Sequence, residues 1–266
     1  MILDYINWNV SPEIFSIGPV TVRWYGLLFA STFLFGYIIM KKIFDRENIS
    51  IETLDLLSVY MLAGVILGAR LGHVIFYQPE YYIKHPLEVL QLWKGGLASH
   101  GAALGILISL FIFSKKVNKP YLWILDRIVI VVAIGGFLVR MGNLMNSEIV
   151  GRITDVPWAF VFVREIPYLG DMPRHPSQIY EGLSYLLLFV LLMWMYFRKN
   201  LGDKPGIIFG VFLIGLFSAR FFIEFYKDVQ VDFENEMTLN MGQWLSIPFV
   251  LYGVFLLVTS LLSSKK

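Results

Sequence analysis

Long, nearly continuous hydrophobic segments follow one another along the chain and are separated by short polar connections. A helix that crosses a bilayer core of about 30 Å needs roughly 20 apolar residues. Uninterrupted runs of this length favour helices, because membrane-spanning strands would alternate apolar and polar residues. The pattern predicts an all-α polytopic membrane protein with about seven transmembrane helices. The predicted spans are 22–40, 54–77, 96–113, 122–141, 180–197, 206–226 and 242–262.

Basic residues in the connections predict the orientation of these spans. They follow the first, third, fifth and seventh spans: Lys41, Lys42, Arg46, Lys115, Lys116, Lys119, Arg198, Lys199, Lys204, Lys265 and Lys266. Segments 1–20 and 228–241 contain no Lys or Arg. Because loops rich in Lys and Arg stay in the cytoplasm, we expect the N-terminus outside and the C-terminus in the cytoplasm. We expect one integral-membrane domain over residues 1–266, with 143–179 as an outer-face loop or small head region.

Composition limits the chemistry that the chain can perform. Its 266 residues are 57% hydrophobic and 16% charged, which excludes an ordinary soluble domain. A formal net charge of +2 gives no indication of a nucleic-acid partner. The absence of Cys excludes disulfides, thiolate metal sites and a nucleophilic cysteine in this chain. The sequence also lacks the H-E-x-x-H and G-x-S-x-G motifs. We therefore expect no metal and no cofactor.

Polar residues within or beside the predicted spans gather at one depth. A charge in hydrocarbon costs roughly 2.5–3.5 kcal/mol on insertion scales, so such residues are usually functional. At about 1.5 Å rise per residue, most lie within roughly 10 Å of the predicted outer boundary. Several cations with few nearby anions at headgroup depth suggest an anionic ligand, and Arg suits a phosphate. The group comprises Arg23, Tyr25, Arg70, His73, His100, Arg140, Asn143, Asn146, Arg174, His175, Gln178, Tyr180, Glu181, Arg220 and Glu224.

Some of these residues have simpler interpretations. Arg220 and Glu224 are four residues apart and could form only an intrahelical ion pair. Arg23 could extend its guanidinium to the lipid headgroups without any other role. On the opposite side, Asp126 and Arg127 are expected to anchor the cytoplasmic end of the fourth predicted span.

The second and third predicted spans carry glycines that indicate close helix packing. Small residues repeated every four positions form one helical face on which another backbone can approach. This spacing occurs at Gly64, Gly68, Gly72, Gly101 and Gly105. In the same region, Arg70 and His73 could either hydrogen-bond a neighbouring helix or serve the site.

Three motifs together resemble the prolipoprotein diacylglyceryl transferase family. They are GGLASHG at 95–101, RMGNLMNSEIVGR at 140–152 and RHPSQIYE at 174–181. Arg220 and Glu224 complete the resemblance, which covers nearly the whole chain in order. The second motif is long and specific, whereas the others are weak singly.

A few positions depart from the family pattern. Ala102 stands where a second Gly often follows the histidine, and Ser147 where a Gly often precedes the glutamate. Val150 replaces a nearby aromatic residue. Lys227 stands where an Arg is usual, and a Lys cannot reproduce a bidentate contact.

The resemblance implies a reaction and its partners. The family moves the diacylglyceryl group of phosphatidylglycerol to the thiol of the lipobox cysteine in a prolipoprotein signal peptide, so that glycerol phosphate leaves and a thioether forms. This is the first step of bacterial lipoprotein maturation. It implies a multi-pass protein of the bacterial cytoplasmic membrane with its active site near the outer face.

The resemblance also implies roles for individual residues. Arg140 and Arg220 would hold the phosphate and stabilise the leaving group, with Glu224 orienting Arg220. His100 would accept the thiol proton, or only bind lipid. The catalytic set is His100, Arg140, Arg220 and Glu224. The substrate-binding set is Tyr25, Arg70, Asn143, Asn146, Glu148, Gly151, His175, Gln178, Tyr180 and Glu181.

Two other classes of protein compete with the transferase. A transporter for an anionic lipid would use a similar basic cavity, but its polar residues should continue to the inner face, where this chain has few. An intramembrane protease would need a Ser/His or paired Asp arrangement inside the spans, and the sequence has none.

Overall fold

The computed structural model describes residues 5–228 and 237–263. Lys265 and Lys266, and residues 229–236 of the predicted outer connection, lie outside the described residues. The strands are β1 Ile6–Trp8, β2 Glu13–Ile17, β3 Val20–Arg23 and β4 Phe160–Phe162. The helices are α1 Trp24–Arg46, α2 Ile51–Phe76, α3 Pro79–Lys84, α4 Ser99–Lys116, α5 Tyr121–Met145, α6 Ile166–Leu169, α7 Ser177–Phe197, α8 Ile207–Ile223 and α9 Met241–Ser263.

Six helices of the described chain are long and apolar enough to cross a membrane, by length and composition. They are α1, α2, α5, α7, α8 with its 3₁₀ extension to Tyr226, and α9. The prediction of an all-α polytopic membrane protein is therefore confirmed. The third predicted span corresponds to α4, which falls outside this group and contains His100, Lys115 and Lys116. The count of seven spans and the orientation stay predictions.

The chain divides into two compact units, and each is described separately. The first unit comprises Met1–Gly36 and Asp126–Lys266, and the second comprises Tyr37–Leu125. The boundaries fall inside α1 and α5. The single integral-membrane domain stays a prediction.

In the second unit, α2 and α4 cross at the predicted glycines. A Cβ built on Gly72 would lie 2.6 Å from the Cα of Gly101, closer than real Cβ contacts allow. Gly68 and Gly105 are equally tight, since a Cβ on Gly68 would lie 2.8 Å from the Cα of Gly105. The predicted close packing is confirmed: only Gly lets these two backbones approach so far.

In the first unit, the start of α5 is tied to the start of α8. Asp126 is fully buried and accepts hydrogen bonds from the backbone N–H of Gly206 at 2.7 Å and of Phe209 at 2.8 Å. It thereby satisfies donors that a helix N-terminus leaves unpaired. Arg127 donates to the Gly202 carbonyl at 3.3 Å and lies over the Tyr196 ring. The anchoring role expected for Asp126 and Arg127 is confirmed.

The N-terminal region of the first unit is not simply a loop before α1. Strand β1 pairs in parallel with β4, and β2 pairs antiparallel with β3. Arg23, expected in the first turn of α1, is instead the last residue of β3. Its guanidinium lies 3.4 Å from the carboxylate of Glu13, and both side chains are exposed. The expected position of Arg23 was wrong because the short hairpin delays the start of the helix.

The segment between α5 and α7, predicted as an outer loop or small head, has structure of its own. It contains β4 and α6, and its Val150, Phe160 and Phe162 form a small hydrophobic cluster with Leu144 of α5. The indole N–H of Trp8 donates to the Leu144 carbonyl at 3.0 Å. This contact fixes the N-terminal strand to the end of α5.

Candidate functional site

Four element ends of the first unit meet around one group of charged residues. Tyr25, in the first turn of α1, packs on Gly142 near the end of α5, where an added Cβ would lie 2.8 Å from the tyrosine ring. Near the start of α7, Gly182 packs against Met141 in the same way, at 2.7 Å. The end of α8 and its 3₁₀ turn Glu224–Tyr226 complete the group.

Arg140 lies between a carboxylate and an amide oxygen. Its Nε lies 2.6 Å from Oε2 of Glu181, and its Nη1 donates to Oδ1 of Asn143 at 3.0 Å. The carboxylate of Glu181 is fully buried, and 14% of the Arg140 side chain is exposed. The guanidinium is therefore fixed in direction but keeps N–H donors for a ligand.

Asn143 extends this arrangement to Glu148. Its Nδ2 donates to Oε1 of Glu148 at 2.8 Å, and Nδ2 of Asn146 donates to the same oxygen at 3.2 Å. Glu148 is exposed. The Tyr25 phenol interacts electrostatically with both Glu148 and Arg140. The structure thus brings together Tyr25, Arg140, Asn143, Asn146 and Glu148, as their predicted roles require.

The backbone around Glu148 is strained. Ser147 and Ile149 have φ angles of 54° and 59°, in the left-handed region that a β-branched residue rarely adopts. Side chains from the start of α7 hold this segment: Ser177 Oγ donates to the Ile149 carbonyl at 2.6 Å, and Gln178 Nε2 donates to the Glu148 carbonyl at 2.7 Å. Gln178, expected to bind substrate, is fully buried and shapes the backbone instead.

Glu224 was expected to orient Arg220, and this is not what the structure contains. The carboxylate of Glu224 lies 3.2 Å from Nζ of Lys227, and Nζ also lies 2.9 Å from Oε1 of Glu181. The backbone of Glu224 still continues the turn of α8, because its N–H donates to the Arg220 carbonyl, and only its side chain faces Lys227 instead of Arg220. A Cβ on Gly242 would lie 2.7 Å from the Glu224 carboxyl carbon.

The Arg220 side chain makes no ion pair or hydrogen bond within the described part of the chain. It interacts electrostatically with Tyr185, as do Arg140 and Glu181. The Tyr185 ring packs over Gly136, one turn before Arg140. Sequence reasoning missed Tyr185, although it follows Glu181 by four residues on the same helical face. It also left Lys227 outside the predicted site.

A second, aromatic group lies beside the charged one. The Tyr180 hydroxyl is 3.0 Å from Nδ1 of His175 and accepts a hydrogen bond from the Trp158 indole at 2.8 Å. Rings of His175 and Tyr226 are in edge contact, with centroids 5.1 Å apart. Partial burial lowers the pKa of His175 below its ordinary value, which favours the neutral imidazole.

Gly151 was expected to bind substrate, and its surroundings indicate packing. Its N–H donates to the His175 carbonyl at 2.9 Å, and it pairs with Lys227 in an isolated antiparallel bridge. An added Cβ would lie 2.7 Å from the Tyr226 carbonyl oxygen. Gly151 thus joins the segment before α7 to the end of α8.

Two predicted site residues belong to the second unit. His100 is exposed in the first turn of α4. Arg70 is buried, and its guanidinium donates to the carbonyls of Val89, Gly95 and Glu88. The substrate-binding role expected of Arg70 does not fit this geometry, because backbone carbonyls occupy its donors. Arg70 instead organises the segment that precedes His100.

The residues 5–228 and 237–263 contain no group of three or more His, Asp or Glu side chains arranged to hold a metal ion. The fold and the charged group define a multi-pass helical membrane protein with clustered guanidinium groups at one end of its helices. Residues 12–259 match the family of prolipoprotein diacylglyceryl transferases. The chain belongs to this family.

Similar proteins span almost the same length. A phosphatidylglycerol–prolipoprotein diacylglyceryl transferase of Chloroherpeton thalassium is 46% identical, over 97% of this chain and 95% of its own. Proteins with the same name from Tolumonas auensis and Bacteroides fragilis are 45% and 44% identical, over 95% and 94% of this chain and 96% and 93% of their own. The resemblance inferred from the motifs is confirmed.

Proposed function

We propose that the chain transfers the diacylglyceryl group of phosphatidylglycerol to prolipoproteins, the first step of lipoprotein maturation. The observation that carries this proposal is the pair Arg140 and Arg220, which both interact electrostatically with Tyr185. Arg140 is oriented by Glu181 and Asn143, and Arg220 has no anionic partner among the described residues. Two guanidinium groups with available donors suit the phosphate of an anionic lipid.

The acceptor in this proposal is the thiol of the lipobox cysteine in the signal peptide. Its sulfur attacks the glyceryl carbon that bears the phosphate ester, so that a C–S bond forms as the C–O bond breaks. Glycerol phosphate leaves with the electron pair of the C–O bond. The absence of Cys from this chain agrees with a nucleophile that belongs to the substrate.

Arg140 and Arg220 stabilise the charge that develops on the departing phosphate. Donors that are already oriented contribute most in such a step, because they need no rearrangement as the charge develops. Glu148, with Tyr25 and the two asparagines, would position the glycerol headgroup. Because the basic connections predict which helix ends lie outside, we propose that the site lies near the outer face of the bacterial cytoplasmic membrane.

We assign the thiol proton to His100, since a neutral imidazole has a ring nitrogen that can accept a proton and so can act as a general base. The proton then passes to the departing phosphate or to water. His100→Gln should therefore lose most activity at every pH between about 6 and 8. Retention of activity over that range would limit His100 to lipid binding.

The proposed function is tested with the purified full chain in detergent, phosphatidylglycerol and a short lipobox peptide. Mass spectrometry should detect a diacylglyceryl adduct on the peptide. The matched controls are a peptide with Cys→Ser and a zwitterionic lipid in place of phosphatidylglycerol, and neither should give an adduct. A folded protein that binds phosphatidylglycerol without forming an adduct would instead be a lipid-binding or transport protein.

A further inference from the structure

Glu181 is the most enclosed charged group of the site. Its side chain has no exposed surface, and each carboxylate oxygen faces a different cation. Oε2 lies 2.6 Å from Nε of Arg140, and Oε1 lies 2.9 Å from Nζ of Lys227. An anionic donor lipid would be repelled by an accessible carboxylate, but both oxygens of Glu181 already face protein cations. Glu181 was expected to bind substrate, but its carboxylate is already used by the two protein cations.

Lys227 makes this burial possible. Nζ of Lys227 lies within ion-pair distance of Glu181 and Glu224, and only 3% of the Lys227 side chain is exposed. A buried carboxylate without a cation would be strongly destabilising, whereas a paired one is tolerated. A compact ammonium group reaches both carboxylates, so the Lys at this position is sufficient where relatives were expected to have Arg.

The direction of Arg140 follows from this arrangement. A guanidinium is planar, so a carboxylate paired at Nε and an amide oxygen hydrogen-bonded at Nη1 together restrain the orientation of the whole group. Asn143 is itself tied to Glu148 on the exposed side. Glu181 supplies the other, buried restraint, and it is the only charged one of the two.

We infer that Glu181 is a positioning residue for Arg140: paired with Lys227, its carboxylate fixes the guanidinium in the orientation that receives the phosphate of the donor lipid. This inference rests on the proposed function, because it concerns the same phosphate. It differs from a structural role in one respect. Glu181 should influence the reaction only through Arg140.

A double-mutant cycle tests this dependence. The variants are Glu181→Gln, Arg140→Gln and the double variant, each measured for kcat/KM of adduct formation and for binding of phosphatidylglycerol in nanodiscs. Glu181→Gln should lower kcat/KM roughly hundredfold and weaken lipid binding about tenfold. In the Arg140→Gln background, Glu181→Gln should change both values less than about threefold, because residues that act as a unit are not additive.

Two further variants separate positioning from folding. Glu181→Asp keeps the negative charge near both cations but withdraws the carboxylate by one methylene, so kcat/KM should fall while thermal unfolding stays close to wild type. Asp126→Asn is the matched control, since it removes a buried carboxylate charge from the other end of α5. It should lower the unfolding temperature and leave kcat/KM of the folded protein unchanged.

The outcomes are distinct for the two proposals. Absence of any adduct with the wild-type chain would remove the proposed function, and the cycle on lipid binding would still decide the positioning role. Additive effects of the Glu181 and Arg140 changes in both measurements would overturn the positioning role, even with an active transferase. Strong coupling in either measurement would support it.

Discussion

The two ends of α5 both bury charged residues, and they use them differently. At its start, Asp126 is bonded to backbone N–H groups at the start of α8, and Arg127 to a backbone carbonyl. At its end, Arg140 is bonded to side chains, from Glu181 and Asn143. The backbone partners of Asp126 and Arg127 are fixed by the fold. Arg140, which is held by side chains, keeps N–H donors that a ligand can use. The kind of bonding partner, backbone or side chain, therefore distinguishes a charged residue that anchors the fold from one that belongs to the site.

The largest effect is expected from truncating the site arginines. Arg140→Ala or Arg220→Ala should lower kcat/KM at least about a thousandfold, near 4 kcal/mol of transition-state stabilisation, because each removes a cation that stabilises the departing phosphate. The measurement is adduct formation by mass spectrometry, with thermal unfolding recorded alongside. Arg23→Ala is the control, since that exposed residue pairs with Glu13 on the hairpin, and it should retain activity. Near-normal turnover in either site variant would contradict the phosphate-binding role.

The start of α5 should show the opposite behaviour. Asp126→Ala leaves two buried N–H donors of the α8 terminus without an acceptor, which should destabilise the fold by about 2–3 kcal/mol. Unfolding in detergent measures this loss. The kcat/KM of the remaining folded protein should stay unchanged. A drop in kcat/KM without loss of stability would mean that the two ends of α5 do not differ as described.

A smaller effect is expected where α1 meets α5. In Gly142→Ala the added methyl would lie 2.8 Å from the Tyr25 ring, so the ring must move away from Glu148 and Arg140. We expect about a tenfold loss of kcat/KM, equivalent to roughly 1.4 kcal/mol. Gly26→Ala is the matched control on α1, because a Cβ there would meet nothing within 4 Å. Equal activities of the two variants would exclude Tyr25 from the site.

The smallest effect concerns pH. Burial lowers the pKa of His175 in the folded protein, so the unfolded chain takes up the proton first as the pH falls. The stability from the neutral imidazole is complete above the unfolded pKa of about 6.5 and is lost as the pH falls towards the folded pKa. Unfolding temperatures of wild type and His175→Gln, compared at about pH 7.5 and 5.5, should converge at the lower pH. Parallel curves would show that His175 does not contribute.

The fold was largely predictable because the apolar segments that predict its helices are long. Apolar runs of about twenty residues fix helices regardless of local detail. The glycine spacing in α2 and α4 likewise identified a real contact, since four residues return to the same helical face. Strands β1 and β4 have three residues each, too few for an alternation to be recognised, and their pairing joins segments far apart in sequence. The hairpin that places Arg23 outside α1 is local, but its strands of five and four residues are also too short to stand out beside the long apolar run that follows.

The site was predictable as a set of residues and less so as a set of contacts. The residues from Arg140 to Glu148 lie within about two helical turns, so sequence distance is a fair guide to their proximity. Glu224 was assigned to Arg220 because residues four apart share a helical face, but its carboxylate pairs with Lys227 instead. Gln178 and Arg70 were assigned to substrate because sequence does not reveal burial. Both prove to satisfy backbone carbonyls.

The left-handed backbone at Ile149 has a consequence for anyone who selects this protein for heat resistance. A β-branched residue in that conformation costs on the order of 1–3 kcal/mol, and Gly would adopt it without that cost. Screens for thermostability alone should therefore recover Ile149→Gly early. The same exchange would loosen the segment that carries Glu148, so a screen that also scores lipid transfer should reject it. The stability gained and the activity lost in Ile149→Gly would together measure how much stability the strained backbone at this position costs the active protein.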